Sequence, residues 1–548
     1  MIMKPNWRGY YLPALLLAFA TLANAQLIPT YVYSGASPGS DYGESVNPAG
    51  DVNADGYDDF IVGSSGDDTA AINAGRAVVY SGFDGTVLHT ILGPSSGAFL
   101  GFSTSGIGDI DADGHADFVV SDIPLTTSGF GPGRAHMISG LTGAVLATHV
   151  GDSNNDVFGY CVSDAGDVDG DGTPDIVVGA PFDDNNGTSS GSVRVISGAT
   201  FLTLYSFDGA TANAVFGRSV SRAGDVNGDG FGDVIVGAPE QFGGLSTPGN
   251  AYIFSGIDGS ILYNLTGGAM SIQFGHVVSC AGDVDLDGFD DVIVGAPGAN
   301  LGMGNATIFS GQTGAVITNF SGAFSAGQFG QDVSDCGDVN GDGFPDVLIT
   351  ERGASGGTPP MIYIYSGLSG ALLDSLTGAA STGLDIRASG VGDVNGDGFS
   401  DVIVGRKVAG GSGRAQVFTA TRLPILKYRS QNGLSALDLE WQPMSGGIND
   451  LNGILVGSGA SALAMGLYGY SLAPADLPVF GFDLLIAVDQ TLNLVGMGTF
   501  NFDGTGEFTS GLINRQHPAI AGSEVHVQWF EIAPNLGSSN GIRLRMEP

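Results

Sequence analysis

Short apolar runs, each bounded by Asp or Gly, recur along most of this chain. Examples are Asp233-Val-Ile-Val-Gly237 and Asp401-Val-Ile-Val-Gly405. Continuous β-branched runs of this length predict strands buried on both faces. A short strand precedes each run. A further strand follows, ending in Tyr80-Ser81-Gly82, Ile138-Ser139-Gly140, Phe254-Ser255-Gly256 or Tyr365-Ser366-Gly367. Next comes a hairpin turn whose glycine is supplied by Asp84-Gly85, Thr142-Gly143, Asp258-Gly259 or Thr313-Gly314. A fourth strand, such as Ser260–Leu265, completes the unit.

The unit repeats. An acidic pattern, Asp-x-(Asp/Asn)-x-Asp-Gly-x-x-Asp, begins at Asp51, Asp109, Asp167, Asp225, Asp283, Asp338 and Asp393, at spacings of 58 and then 55 residues. Seven units of four antiparallel strands predict an all-β, seven-bladed β-propeller, in which each unit buries its apolar face against its neighbours. Nine residues before each loop stands an apolar residue: Tyr42, Leu100, Phe158, Phe216, Phe274, Phe329 or Leu384. It is expected to pack between blades. A glycine follows it in six units, and Asp385 in the last. The seventh unit has a third strand, Gln416–Ala420, but no fourth of its own. The orphan segment Leu27–Ser34 is expected to supply it and so close the ring. The period stops near Leu423. Residues 423–548 carry alternating stretches such as Leu437–Trp441 and Val525–Phe530, which predict a small C-terminal β-sandwich-like domain. The expected division is thus 1–25, 26–422 and 423–548.

The loops carry the candidate chemistry. In Asp167-Val-Asp169-Gly-Asp171-Gly172-Thr173-Pro-Asp175, side chains at positions 1, 3 and 5 converge, position 7 offers its carbonyl, and position 9 closes the shell. Hard oxygen donors in a flexible loop suit Ca²⁺, and Gly at position 6 permits the left-handed turn. The same set reads as Asp51, Asn53, Asp55, Tyr57 and Asp59 in the first unit, and as Asp109, Asp111, Asp113, His115 and Asp117 in the second. It continues as Asp225, Asn227, Asp229, Phe231 and Asp233, then as Asp283, Asp285, Asp287, Phe289 and Asp291. The last two are Asp338, Asn340, Asp342, Phe344 and Asp346, and Asp393, Asn395, Asp397, Phe399 and Asp401. Up to seven Ca²⁺ ions are expected, in structural roles, with the four Asn-containing sites binding more weakly. The ring of His115 reads as surface variation.

Composition agrees. Gly is 92 of 548 residues, about 17 % against a usual ~7 %, as turn-rich β structure requires. A net charge of −38 argues against binding nucleic acid or anionic membrane, although seven divalent ions would offset 14 units of it. Lys4, Arg8, the apolar stretch Tyr10–Leu22 and Ala23-Asn24-Ala25 read as a secretory signal peptide. The mature protein is expected to start near Gln26, to lack a membrane span, and to be secreted or held at the cell surface. Cys161, Cys280 and Cys336 read as buried thiols, with a Cys280–Cys336 bridge left open.

These residues closely resemble the FG-GAP repeat of integrin α chains and of many secreted bacterial proteins. The naming elements stand as Phe158-Gly159 with Gly179-Ala180-Pro181, Phe216-Gly217 with Gly237-Ala238-Pro239, and Phe274-Gly275 with Gly295-Ala296-Pro297. Phe329-Gly330 keeps the first half only; the first, second and seventh units diverge in both halves but keep the loop. The resemblance implies a Ca²⁺-stabilised propeller used for adhesion or ligand binding. Unlike integrin α chains, this chain carries the loop in every blade and no inserted von Willebrand-type domain. Residues 423–548 are weakly similar to terminal domains of secreted planctomycete proteins, which assigns no activity.

No enzyme is expected. The seven His residues are scattered, and no nucleophile elbow, phosphate loop or catalytic Cys setting occurs. The expected function is an extracellular adhesion or ligand-binding module for a protein or glycan, with polar loops such as Asp183–Ser190 and Gln241–Gly249 forming the recognition face. A structural scaffold of the cell envelope or matrix is the alternative, and a propeller-borne polysaccharide- or lipid-active enzyme a third.

Overall fold

The computed structural model describes residues 26–421 apart from 128, 240–247, 269–271, 354–358, 378–385 and 408–410. Beyond these it describes the backbone of nine strands between Ile425 and Met546. Seven four-stranded antiparallel sheets follow one another, each ordered first to fourth strand from the centre outward. In the third blade these strands are Cys161–Gly166, Asp175–Ala180, Ser192–Ile196 and Thr203–Asp208. All six residues of Asp175–Ala180 are buried, as the β-branched run requires, whereas the outermost strand alternates between half-buried and exposed.

Ring closure comes from the other end of the chain. Gln26–Ser34 pairs antiparallel with Arg414–Thr421 from Gln26↔Thr421 to Ser34↔Arg414, so the first strand in sequence becomes the outermost strand of blade seven. Its aromatics then reach forward to blade one. Tyr33 packs 4.1 Å from the Tyr80 ring and donates through its hydroxyl to Gly85 O at 2.8 Å, while Tyr31 donates to Phe83 O at 2.9 Å.

The cores lie between blades. Phe158 packs with Ile107 and Val119 of blade two and with Val162 and Ile176 of blade three. Phe216 joins Val177 of blade three to Val220 and Val234 of blade four. The glycines beside these rings are contact points. A Cβ on Gly179 would meet Gly217 O at 2.0 Å, and one on Gly237 would meet Gly275 O at 2.1 Å, so only hydrogen fits. Leu384 and Asp385 fall outside the described residues.

The first strands surround a central channel of about 210 Å³. Serines knit neighbouring blades around it: Ser45 Oγ accepts from Thr104 N, Ser103 Oγ from Val162 N and Ser219 Oγ from Val278 N, at 3.0–3.1 Å. Cys280 and Cys336 are buried, Cys161 is half-buried, and all three are free thiols.

In each blade the chain leaves the first strand through the acidic loop and returns from the second through a longer connection. Acidic loops and third-to-fourth hairpins therefore share one face, and the variable second-to-third loops occupy the other. The nine C-terminal strands pair into one sheet, all antiparallel except Ile425–Tyr428 with Gly453–Val456. Their side chains, and with them the second layer expected of a sandwich, lie outside the described residues. The only described helix is the four-residue Ala299–Gly302, and no described helix is long and apolar enough to cross a membrane.

Replacing Tyr33 by Ala removes both the ring packing and the hydrogen bond that carry closure into blade one. The expected cost is about 3 kcal/mol of unfolding free energy, read by denaturant titration.

Candidate metal centres

All seven acidic loops adopt one arrangement. The carboxylate at position 1 accepts the backbone N–H of position 5 at 2.9–3.1 Å. Its other oxygen accepts from the position-6 glycine at 2.7–2.9 Å. Position 5 in turn accepts from the position-7 N–H at 2.8–3.0 Å. Gly at position 6 has φ of 86–91° throughout, as a left-handed turn requires.

Position 9 is the deepest group, fully buried in every blade. One oxygen accepts from position 2 of its own loop at 2.8–3.1 Å. The other accepts at 2.7–3.4 Å from the glycine after the third strand, or from Ala420 N in blade seven. This aspartate thus fastens the loop to the third strand. Burial, reinforced by neighbouring loop carboxylates, outweighs these N–H donors and pushes its pKa up. The values reach about 6 for Asp117 and Asp175, about 7 for Asp59, Asp233 and Asp291, about 8 for Asp346 and about 9 for Asp401.

Carboxylate oxygens of positions 1, 3 and 9 lie within 4.8 Å of one another in the three four-aspartate loops: Asp109, Asp111 and Asp117; Asp167, Asp169 and Asp175; Asp283, Asp285 and Asp291. Position 5 falls outside these groups. In two Asn loops the amide is engaged within the turn, with Asn53 Nδ2 donating to Asp55 and Asn227 Nδ2 to Asp229, both at 2.8 Å. No ion pair among the described residues involves a carboxylate at positions 1, 3, 5 or 9. Crowded carboxylates without a basic partner, one of them fully buried, fit a hard divalent cation that supplies the missing charge.

Two functional positions escape the sequence pattern. Position 4 is left-handed in every loop, including the non-glycines Ala54, Ala112 and Leu286 at φ of 57°, 59° and 56°. Position 8 clasps the preceding blade. Ala116 N donates to Asp51 O at 3.0 Å, Gly232 N to Asp167 O at 2.8 Å, and Asp290 N to Asp225 O at 3.2 Å. Asp58 closes this belt by accepting from Asp393 N at 3.0 Å. Pro174 and Pro345, without an N–H, instead cover Gly108 and Gly282. Position-7 rings join in. Phe231, Phe289, Phe399 and Tyr57 lie over the position-4 glycine of the preceding loop. The His115 ring is not free surface variation, because its Nδ1 sits 2.8 Å from Val52 O of blade one.

On the opposite face, Asp183–Ser190 is wired internally. Asp183 accepts from Asn185 N at 3.0 Å and Ser192 Oγ at 2.7 Å, and Asp184 accepts from Ser189 N at 2.7 Å. Most of Gln241–Gly249 falls outside the described residues.

Comparison with known proteins agrees with this geometry. The FG-GAP repeat model matches residues 163–196, 216–254 and 277–317, and an FG-GAP-like repeat model matches 338–404. Integrin alpha-5 of Xenopus laevis is 33 % identical over 225 residues, covering 38 % of this chain and 20 % of its own. Integrin alpha-V of Gallus gallus is 32 % identical over 222 residues (38 % and 21 %), and human integrin alpha-IIb 31 % over 251 residues (40 % and 23 %). The chain spans about a fifth of the length of these relatives. Sqt1 of Saccharomyces cerevisiae overlays on 72 % of this chain and all of its own at 12 % identity, with a TM-score of 0.43, too low to argue from. The chain is a seven-bladed propeller carrying FG-GAP repeats, with integrin α chains as homologues.

The raised pKa values set a pH dependence. A carboxylate whose folded pKa exceeds its unfolded value of about 4 costs stability when ionised, and that cost is relieved as pH falls through the folded pKa. In chelator the melting temperature should rise from pH 8 to pH 5. Millimolar Ca²⁺ should raise it most at pH 8, and that increment should shrink toward pH 5 as protons displace the ion, a pattern read by differential scanning calorimetry.

Proposed function

We propose that this FG-GAP propeller, homologous to integrin α chains, is an exported, calcium-hardened adhesion or ligand-binding module. The observation that carries the reading is the sevenfold acidic loop, kept in every blade and confined to one face. In each loop positions 1, 3, 5 and 9 would supply side-chain oxygens and position 7 its carbonyl, a donor set suited to Ca²⁺, which accepts six to eight oxygens. Extracellular Ca²⁺ modules bind at roughly 10⁻⁴–10⁻³ M, adequate for a secreted protein. The bound ions would neutralise carboxylates that no arginine or lysine offsets and stiffen the join between blades. That leaves the opposite face, with its variable loops, to meet a protein or glycan on a rigid platform.

Three features support the reading: the integrin α similarity, the resemblance-implied role in adhesion, and the signal-like residues 1–25.

The test is capture of the full chain from Gln26 on the envelope fraction of its own cells and on a glycan array, in millimolar Ca²⁺ and in chelator. Binding that requires Ca²⁺ and weakens when Asp167 and Asp171 are both changed to Asn supports the module. Absence of binding in both buffers, with a Ca²⁺-raised melting temperature, contradicts it and favours a scaffold.

A further inference from the structure

On the variable face the first strands open with the residue that follows each Phe-Gly pair or its equivalent: Glu44, Phe102, Tyr160, Arg218, His276 and Gln331. Only the closed ring brings these side chains together. Most charges at this end of the channel are paired. Lys407 Nζ lies 2.9 Å from Glu44, and Arg387 lies 3.6 Å from Asp332. Deeper in, Arg222 lies 3.3 Å from Asp164 and 3.9 Å from Asp335.

Arg218 is different, since none of the ion pairs among the described residues includes it. It donates from Nη1 to Tyr160 Oη at 2.8 Å and from Nη2 to His276 Nε2 at 3.2 Å, and it lies over the Tyr160 ring at 5.5 Å. Because His276 Nε2 accepts, the ring proton sits on Nδ1. Burial and the guanidiniums of Arg218 and Arg387 push the imidazole pKa well down, so the ring is neutral. Arg218 Nε and His276 Nδ1 are both buried without a partner. Two N–H donors without a protein acceptor on channel-lining side chains, beside a guanidinium outside any of these ion pairs, suit an acceptor that brings negative charge to this mouth. Next to them, Phe102 lies 5.3 Å from Tyr160, and Tyr160 lies 6.0 Å from Phe182, forming a run of half-buried rings. An aromatic shelf beside a guanidinium matches a ligand with one apolar face and one carboxylate, as in an acidic sugar.

We propose that the mouth of the central channel on the variable face is a subsite for a carboxylated sugar, with Arg218 receiving the carboxylate, His276 fixing the guanidinium, and the adjoining Phe102 and Tyr160 rings offering one apolar surface to the sugar. This deepens the ligand-binding reading above and rests on it.

The test is isothermal titration calorimetry of the full chain from Gln26, in millimolar Ca²⁺, with trigalacturonate as probe and trigalactose and hexaglutamate as comparisons. The expected result is saturable, salt-weakened binding of trigalacturonate alone. Arg218→Gln should weaken it at least tenfold, and Arg218→Lys should recover part of the loss. Phe102→Ala should weaken it severalfold, and it keeps the test informative if the Arg218 variants fold poorly. No saturation at millimolar trigalacturonate, equal binding by Arg218→Gln, or tighter binding of hexaglutamate would overturn the subsite. Envelope capture without uronate binding removes the subsite but spares the module; loss of both removes both.

Discussion

Each blade depends on one buried carboxylate that has no basic side chain beside it. The ninth residue of the acidic loop divides its two oxygens between the loop backbone and the exit of the third strand, and it does so in all seven blades. In blade seven its partner is Ala420 N, on the strand that pairs with the N-terminal segment, so the same interaction also anchors ring closure. Backbone donors satisfy the hydrogen bonding of this group but not its charge, and its pKa rises accordingly. A protein that repeats this cost seven times has reason to recruit a counter-charge, and in the three four-aspartate loops the carboxylates of positions 1 and 3 stand within 4.8 Å of it.

The loops also connect the blades. Position-8 backbone groups and position-7 rings of one blade rest on the loop of the blade before, and Asp58 carries the belt across the closure. A cation that ordered one loop would therefore order part of its neighbour's interface. Such ions would stiffen the joins between blades on the acidic-loop face.

Much of this was legible in the sequence because it is written in side chains at fixed spacing. The period, the buried second strands, the inter-blade aromatics at Phe158 and Phe216 and the closing role of Leu27–Ser34 follow from apolar patterning and from one missing strand. Positions 4 and 8 were not legible, because they act through backbone conformation and backbone donors. Residues as different as Ala54, Leu286 and Gly170 share one φ region, and Ala116, Gly232 and Asp290 share one N–H contact. The Arg218–His276 pair is hidden from the sequence for another reason. Blade-by-blade alignment reads the residue after Phe-Gly as variable, and only the closed circle makes that variation a set of neighbours.

Ion stoichiometry shows directly whether the acidic loops hold cations. Purified protein dialysed against millimolar Ca²⁺ and passed rapidly into metal-free buffer would be assayed by inductively coupled plasma mass spectrometry, with a variant carrying Asp167→Asn, Asp169→Asn and Asp171→Asn beside it. Several Ca²⁺ ions per chain, up to seven, are expected, and one fewer in the variant. A chain that retains none, or a variant that retains as many as its parent, would contradict this expectation.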